Sequence, residues 1–461
     1  MIADLKPYSK YKKSELQWLG DVPAHWDLRP TFGAFAPNSE RNDGLKEKTV
    51  LSLSYGRIVI KPAEKLHGLV PESFETYQIV NPGDIVLRTT DLQNDHTSLR
   101  VGFVNNRGII TSAYLALRAI RGVDPKFGFQ FLNVWDTSKA IYGYGSGLRQ
   151  GLDFSHFKRM SVAIPPADEQ DAIVRFLDWA NGRLDRAIRA KRKVIALLNE
   201  QKQAIIHRAV TRGLDPSVPL KPSGVPWLGN IPQHWEAIRS KYIYREVDSR
   251  SETGEETHLS MSQKFGLIPY SQIEEKRLVS ESYAGAKLCE KGDLVLNRLK
   301  AHLGVFALAP ERGLVSPDYT VLRPLQGLEE RYFEAVYRSP ACRVELRKRT
   351  KGIVQGFWRL YTDDFYDIRV PFPPVEEQKQ IIAQLDIDLS GINAAISRLE
   401  REIDLIREYR ARLIADVVTG KLDVREAASK LPVEEQANEP GKELVDEASE
   451  MIECEITEPA G

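Results

Sequence analysis

Cysteine is scarce in this 461-residue chain. Cys289, Cys342 and Cys454 are the three present, far apart and without CxxC spacing. That pattern supports neither a disulfide framework nor a zinc cluster, and it fits a reducing, cytoplasmic setting. No apolar run approaches the ~20 residues of a membrane span. No apolar stretch follows Lys12-Lys13, so no secretory signal is expected. Catalytic loop signatures are missing too: there is no GxxxxGK[ST], GxGxxG, GxSxG or HExxH. Neither a catalytic site nor a metal site is expected. Net charge is zero, but the total hides a segregation. Residues 424–461 hold eleven acids against Arg425, Lys430 and Lys442, a balance of −8, which leaves +8 on residues 1–423. Such an acidic, aromatic-poor tail reads as disordered and solvated.

What the chain has is a long internal repeat. Trp18-Leu19-Gly20-Asp21-Val22-Pro23-Ala24-His25-Trp26 returns as Trp227-Leu228-Gly229-Asn230-Ile231-Pro232-Gln233-His234-Trp235, and Gly83-Asp84-Ile85-Val86-Leu87 as Gly292-Asp293-Leu294-Val295-Leu296, both 209 residues later. Pro165-Pro166-Ala167-Asp168-Glu169-Gln170 returns as Pro373-Pro374-Val375-Glu376-Glu377-Gln378 at 208, and Val210-Thr211 as Val418-Thr419. A steady offset of this size means two copies of a complete unit, where solenoid repeats would recur every 20–50 residues.

Each unit opens with a turn-rich segment and continues with mixed elements. Short β-branched runs between glycines and prolines predict strands at 49–53, 58–60, 83–88, 101–104 and 112–118, and in the second copy at 293–297, 304–308 and 319–322. Helical pieces are expected at 127–142 and 328–349. Each unit ends in a long heptad stripe. Leu177, Leu184, Ile188, Ile195, Leu198 and Ile205 fall on one, with Asn181, Lys191 and Lys202 as polar breaks. Leu385, Ile392, Leu399, Ile406 and Leu413 fall on the other, broken by Arg410. Acids open both helices and Gly213 and Gly420 stop them. At about 44 residues, each helix extends roughly 66 Å. Residues 168–211 carry +3 and 376–418 carry −3, which favours pairing the helices with each other. The Pro-rich linker stretch 215–224 reaches only about 31 Å at ~3.1 Å per residue. It cannot return a whole helix length, so an antiparallel pair is expected.

The fold class expected is therefore α+β: two similar heads joined by an antiparallel coiled coil, related by a pseudo-two-fold duplication. The domains are 1–165, head one; 166–213, central helix; 214–224, linker; 225–373, head two; 374–423, second helix; and 424–461, acidic tail.

Two kinds of candidate site stand out. His25 and His234 recur beside Trp26 and Trp235. A paired active site is one reading, but no nucleophile or carboxylate accompanies them in sequence, so a packing turn is preferred. The second kind is the polar segment after each Gly-Asp strand. In head one, Arg88, Thr89, Gln93, Asn94, His96 and Arg100 form a run of hydrogen-bonding side chains. Arg to guanine and Asn or Gln to adenine are the common bidentate base contacts. Asp91 and Asp95 would repel phosphate, and a solvated loop has the same composition. In head two the segment is shorter and more basic, with Arg298, Lys300 and His302. The framework repeats and this loop does not, the pattern of two readers with different specificities. Gly-framed turns add Arg149, Gln150 and Gln355 as further candidates; plain turns explain them equally well.

The repeated opener, the GD[IL]VL strand, the PP-x-x-EQ junction and the closing VT motif together resemble the specificity subunits of type I DNA restriction–modification systems, over residues ~11–423. The resemblance implies that each head is a target recognition domain reading one half of a split double-stranded DNA target. The paired helices would set the gap and dock two modification (methyltransferase) subunits. It implies no catalysis and no cofactor on this chain. S-adenosylmethionine would belong to modification subunits that methylate adenine, and ATP and Mg to restriction subunits that translocate and cleave DNA. Three alternatives remain: fused catalysis, opposed by the lack of an [ND]PP[YFW] segment; a coiled-coil scaffold with protein-binding heads; and an orphan specificity subunit acting with a methyltransferase alone.

Overall fold

The computed structural model describes residues 5–62, 73–90, 92–93, 95, 98–144, 151–262, 265–272, 283–352 and 358–432. They divide into two compact units: one holds 5–191 with 401–432, the other 192–400. Each unit therefore contains one head, the start of the helix that follows it and the end of the other long helix.

In the first unit, which also holds several small strand pairs, the strands that position the site are β1 (Phe35–Asn38), β2 (Leu51–Ser54), β3 (Arg57–Ile60), β4 (Ile85–Arg88), β5 (Val101–Phe103) and β6 (Tyr114–Ala119). An antiparallel four-stranded sheet runs β1-β6-β4-β5, and β2 and β3 form a hairpin. Helix α1 (Pro125–Thr137) starts on Asp124, whose side chain accepts from the Phe127 amide at 2.9 Å, with Pro125 at the first helical position, where its missing N–H costs nothing. The expected helix to 142 stops early. Lys139 turns to φ 63°, and the chain resumes as a 3-10 turn over Ala140–Tyr144. Trp26, Phe35, Phe127, Phe131 and Trp135 are buried in the core. Helix α2 (Ala167–Arg212) follows.

The second unit repeats the order with β7 (Tyr244–Val247), β8 (Leu259–Ser262), β9 (Gly266–Pro269), β10 (Leu294–Asn297), β11 (Phe306–Leu308) and β12 (Tyr319–Pro324). Its sheet runs β7-β12-β10-β11, the same arrangement strand for strand, beside the β8–β9 hairpin. The single helix expected over 328–349 is two, α3 (Glu330–Arg338) and α4 (Pro340–Arg349). Pro340 cannot continue α3, and Ser339 caps the new helix by accepting from the Cys342 amide. Cys289 and Cys342 are buried as free thiols. Helix α5 (Val375–Val418) ends the repeat.

Within each unit the two long helices run antiparallel. In the first, Asp185 pairs with Arg410 and Lys191 with Glu402, so one number rises as the other falls. In the second, Lys202 Nζ donates to Asn393 Oδ1 at 2.8 Å, and Ala209 and Val210 share a core with Ile381, Ile382 and Leu385. The polar breaks at Lys191, Lys202 and Arg410 thus find polar partners across the seam. Leu177, Ile188, Leu385 and Leu413 are buried, while Leu184, Ile195, Leu198, Ile205, Ile392, Leu399 and Ile406 are half-buried, as a two-helix seam leaves them.

The tail departs from expectation. Val424, Ala427, Ala428 and Leu431 stand at helical spacing, and all four are buried; α6 (Arg425–Ser429) forms there. The Asp423 amide donates to the Lys6 carbonyl at 2.8 Å. Residues 433–461 lie outside the described residues.

Candidate nucleic-acid interface

The recurrent motifs build the frame. In the first unit Glu169 is 2% exposed. It accepts from Trp26 Nε1 at 2.7 Å and from the Tyr8 hydroxyl, and His25 Nε2 lies 2.8 Å from its other oxygen. Burial, and then the Glu169 carboxylate, push the Tyr8 phenol upward, so it remains a donor. In the second unit Glu377 accepts from Trp235 Nε1 at 2.9 Å and lies 2.8 Å from His234 Nε2. Each histidine therefore has a carboxylate partner, which the sequence reading lacked. By position both glutamates suit a helix dipole; in the structure they are clasps between the opener and the long helix. Gln170 and Gln378 complete the clasp by donating to Pro165 and Pro373 carbonyls, each at 2.9 Å. The helix-stop glycine closes it. A Cβ at Gly420 (φ 77°) would meet Trp26 at 3.1 Å, and one at Gly213 (φ 74°) would meet Trp235 at 3.3 Å. Each clasp therefore joins one copy's opener and junction to the other copy's closing motif, because antiparallel helices bring the end of one beside the start of the other.

The Gly-Asp strand anchors the sheet in the same structural way. Asp84 is buried and takes Arg118 Nε at 2.8 Å and Nη2 at 3.0 Å. Asp293 takes Arg323 Nε at 2.9 Å and Nη2 at 2.8 Å. Two parallel bonds to a buried carboxylate hold the strand firmly. The variable segments leave from the ends of these strands, β4 and β10.

The predicted site residues fall into three groups. Several are internal. Arg100 is fully buried, and its guanidinium donates to the Thr90 carbonyl at 2.8 Å, the Asp95 carbonyl at 2.6 Å and the Tyr142 hydroxyl at 3.2 Å. It is the post around which the loop folds, while its amide donates to buried Asp136 at 2.6 Å. Thr89 is buried and donates to the Ala113 carbonyl. Arg298 is half-buried rather than internal, and is tied to the Asp318 carbonyl at 2.7 Å. A second group reaches outward: Gln93 is exposed, Lys300 is half-exposed, and Arg88 is half-exposed with an ion pair to Asp95 at 3.2 Å. The rest, Asn94, His96, Arg149, Gln150, Gln355 and the His302 side chain, lie outside the described residues.

Two segments singled out separately in sequence meet in space. The Leu152 amide, just after the first Gly-framed turn, donates to the Thr89 carbonyl at 2.8 Å. The Leu360 amide, after the second, donates to the Arg298 carbonyl at 3.1 Å. Among the described residues, no group of three His, Cys, Asp or Glu could hold a metal ion, and no helix is long and apolar enough to cross a membrane.

The frame is built twice to one plan, with unlike loops on the same strand. Residues 255–403 match the family model for the type I restriction modification DNA specificity domain. The chain is 23% identical over 365 residues to the type I restriction enzyme MjaVIII specificity subunit of Methanocaldococcus jannaschii, covering 75% of this chain and 81% of that protein. It is 20% identical over 437 residues to the putative MjaX specificity subunit of the same organism, covering 90% and 97%. A chain from a solved structure of a type I R-M system, described for complex assembly and conformational transition, superposes with TM-score 0.57 at 16% identity, over 86% of this chain and 98% of its own. That likeness concerns the fold. Together these likenesses support a specificity subunit of a type I restriction–modification system, and recognition of a DNA target fits that family.

Proposed function

We propose that each head reads one half of a split, asymmetric DNA target, and that α2 and α5 set the gap between the halves. One observation carries this: the two frames agree strand for strand and clasp for clasp, while the loop after the central strand spans 88–100 in one head and 297–304 in the other. A shared frame conserves docking geometry, and unlike loops read unlike bases. Gln93, Arg88 and Lys300 are the outward-facing members, together with those outside the described residues.

The same helices dock two modification subunits. Leu405 with Tyr409 in the first unit, and Val194 with Leu197 in the second, are exposed in pairs one helical turn apart, and Ile387 is exposed as well; apolar residues grouped on a helix face offer a contact surface. The chemistry resides on those partners: S-adenosylmethionine-dependent adenine methylation on the modification subunits, and ATP- and Mg-dependent translocation and cleavage on restriction subunits. The complex works in the cytoplasm.

The test is a head exchange. Replacing residues 26–160 with the corresponding segment of another specificity subunit should change one half of the methylated target and leave the other intact. A change in both halves contradicts the modular reading.

A further inference from the structure

In each unit one hairpin tip exposes an aromatic ring on the frame that carries the variable loop. In the first, β2 and β3 are joined by Tyr55-Gly56, both with positive φ, 45° and 75°. That turn matches the twist of hairpin strands, and it calls for Asn-Gly or Gly-Gly. A tyrosine there is held in the left-handed region against its own Cβ, and the residue is 50% exposed. Backbone strain of this kind persists where the surroundings enforce it, and it concentrates at ligand-contacting sites. Here the surroundings are the variable loop itself. A Cβ at Gly56 would stand 3.0 Å from Leu99 Cβ, and Leu99 is 38% exposed. The tip is thus seated on the 88–100 loop, and exposed Arg57 follows it at the start of β3.

The second unit reaches a similar exposure through a different turn. Gly266 (φ 74°) pairs with Ser262 in the β8–β9 ladder, and Phe265, the residue before it, is 67% exposed. A Cβ at Gly266 would stand 3.3 Å from Ala307 Cβ in β11, the strand that follows the 297–304 loop. An exposed aromatic in the turn of the same hairpin in both heads is a feature the cores do not require.

We propose that these hairpins are the groove-entering elements of the heads, with Tyr55 and Phe265 as specificity-determining contacts to base edges in the DNA major groove. The inference rests on the heads being half-site readers. A two-stranded ribbon fits the major groove, and an apolar ring there discriminates by contact with a thymine methyl. Tyr55 adds a hydroxyl, which can bond a base edge, and Arg57 lies where a phosphate contact would position the ribbon.

The experiment uses the chain assembled with its modification subunits. Mapping of methylated adenine in host DNA by the wild type defines the target. A labelled 40-base-pair duplex carrying it is then compared with duplexes in which either half is scrambled, at fixed salt. Tyr55→Ala should weaken binding to the intact target about ten-fold, with discrimination lost at one half and binding to fully scrambled duplex unchanged. Phe265→Ala should do the same at the other half. Tyr55→Asn separates contact from folding. Asparagine tolerates the left-handed conformation, so thermal stability should hold or rise while discrimination falls. Full discrimination by all three folded variants overturns the inference. A wild-type complex that assembles yet prefers no sequence overturns instead the half-site reading on which it rests.

Discussion

The two clasps are chemically alike and unequally buried, which makes them a matched experiment in one chain. Replacing Glu169 with alanine removes the acceptor for Trp26, which is fully buried, and for Tyr8, which is nearly so. Each buried donor left without a partner costs about 1–3 kcal/mol, so about 2–6 kcal/mol should be lost from the first unit. His25 is partly exposed and can turn to water. At the second clasp the Glu377 side chain is 25% exposed and that of His234 is 46% exposed. Only the Trp235 indole is stranded there, so Glu377→Ala should cost about 1–3 kcal/mol. Glu169→Gln keeps one acceptor oxygen and should fall between wild type and alanine. Urea unfolding read by hydrogen exchange assigns each loss to its own unit, which a single melting temperature would not. Equal losses at the two sites, or a loss under about 1 kcal/mol for Glu169→Ala, would refute the reasoning.

Other predictions concern the helices and acid stability. The pairings Asp185–Arg410, Lys191–Glu402 and Lys202–Asn393 place residues 197–203 opposite 392–398. Deleting both heptads removes about 10 Å of rod at 1.5 Å per residue, or about three base pairs at 3.4 Å. The methylated target should keep both half-sequences and lose about that much spacer. An unchanged spacer would show that the helices do not set it. Burial holds the pKa of His258 below the ordinary histidine value, where its ring packs against Tyr270 at 5.1 Å and Tyr283 at 4.6 Å. A base whose folded pKa is depressed favours the folded state while neutral. That contribution is complete above the unfolded value near 6.5 and is lost as pH falls through it toward the folded value. His207 shifts in the same direction, burial first and Arg212 second. The second unit should therefore weaken as pH drops below about 6.5. His258→Phe keeps the ring without the proton and should flatten part of that slope in exchange measurements at pH 5 to 8. A slope identical to wild type would remove His258 from the explanation.

The parts legible in sequence were those written as periodicity or repetition. The heptads of Leu177 to Ile205 and Leu385 to Leu413 predict the long helices, and the short reach of the 214–224 linker predicts their antiparallel sense. Long-range polar contacts were not legible. Glu169 and Glu377 sit where a helix dipole favours any acid, and nothing local shows that each reaches an indole about 140 residues earlier. Arg100 reads like any loop arginine, and only the fold turns its donors inward onto the Thr90 and Asp95 carbonyls. Two structural features carry visible signals in the sequence. Pro340 announces the break between α3 and α4, and the spacing of Val424, Ala427, Ala428 and Leu431 marks a packed turn that the tail's net charge obscures. Tyr55-Gly56 also had a signal, an aromatic where the turn calls for Asn or Gly, but composition alone did not single it out.

The most direct test of the central claim is a methylation map. The chain is co-expressed with its modification subunits, and N6-methyladenine is located across the host genome. A bipartite, asymmetric motif with one methylated adenine on each strand, flanking an unspecified spacer, is the predicted result. A contiguous or palindromic motif, or no methylation from a complex shown to assemble, would contradict the claim that two unlike heads read two half-sites.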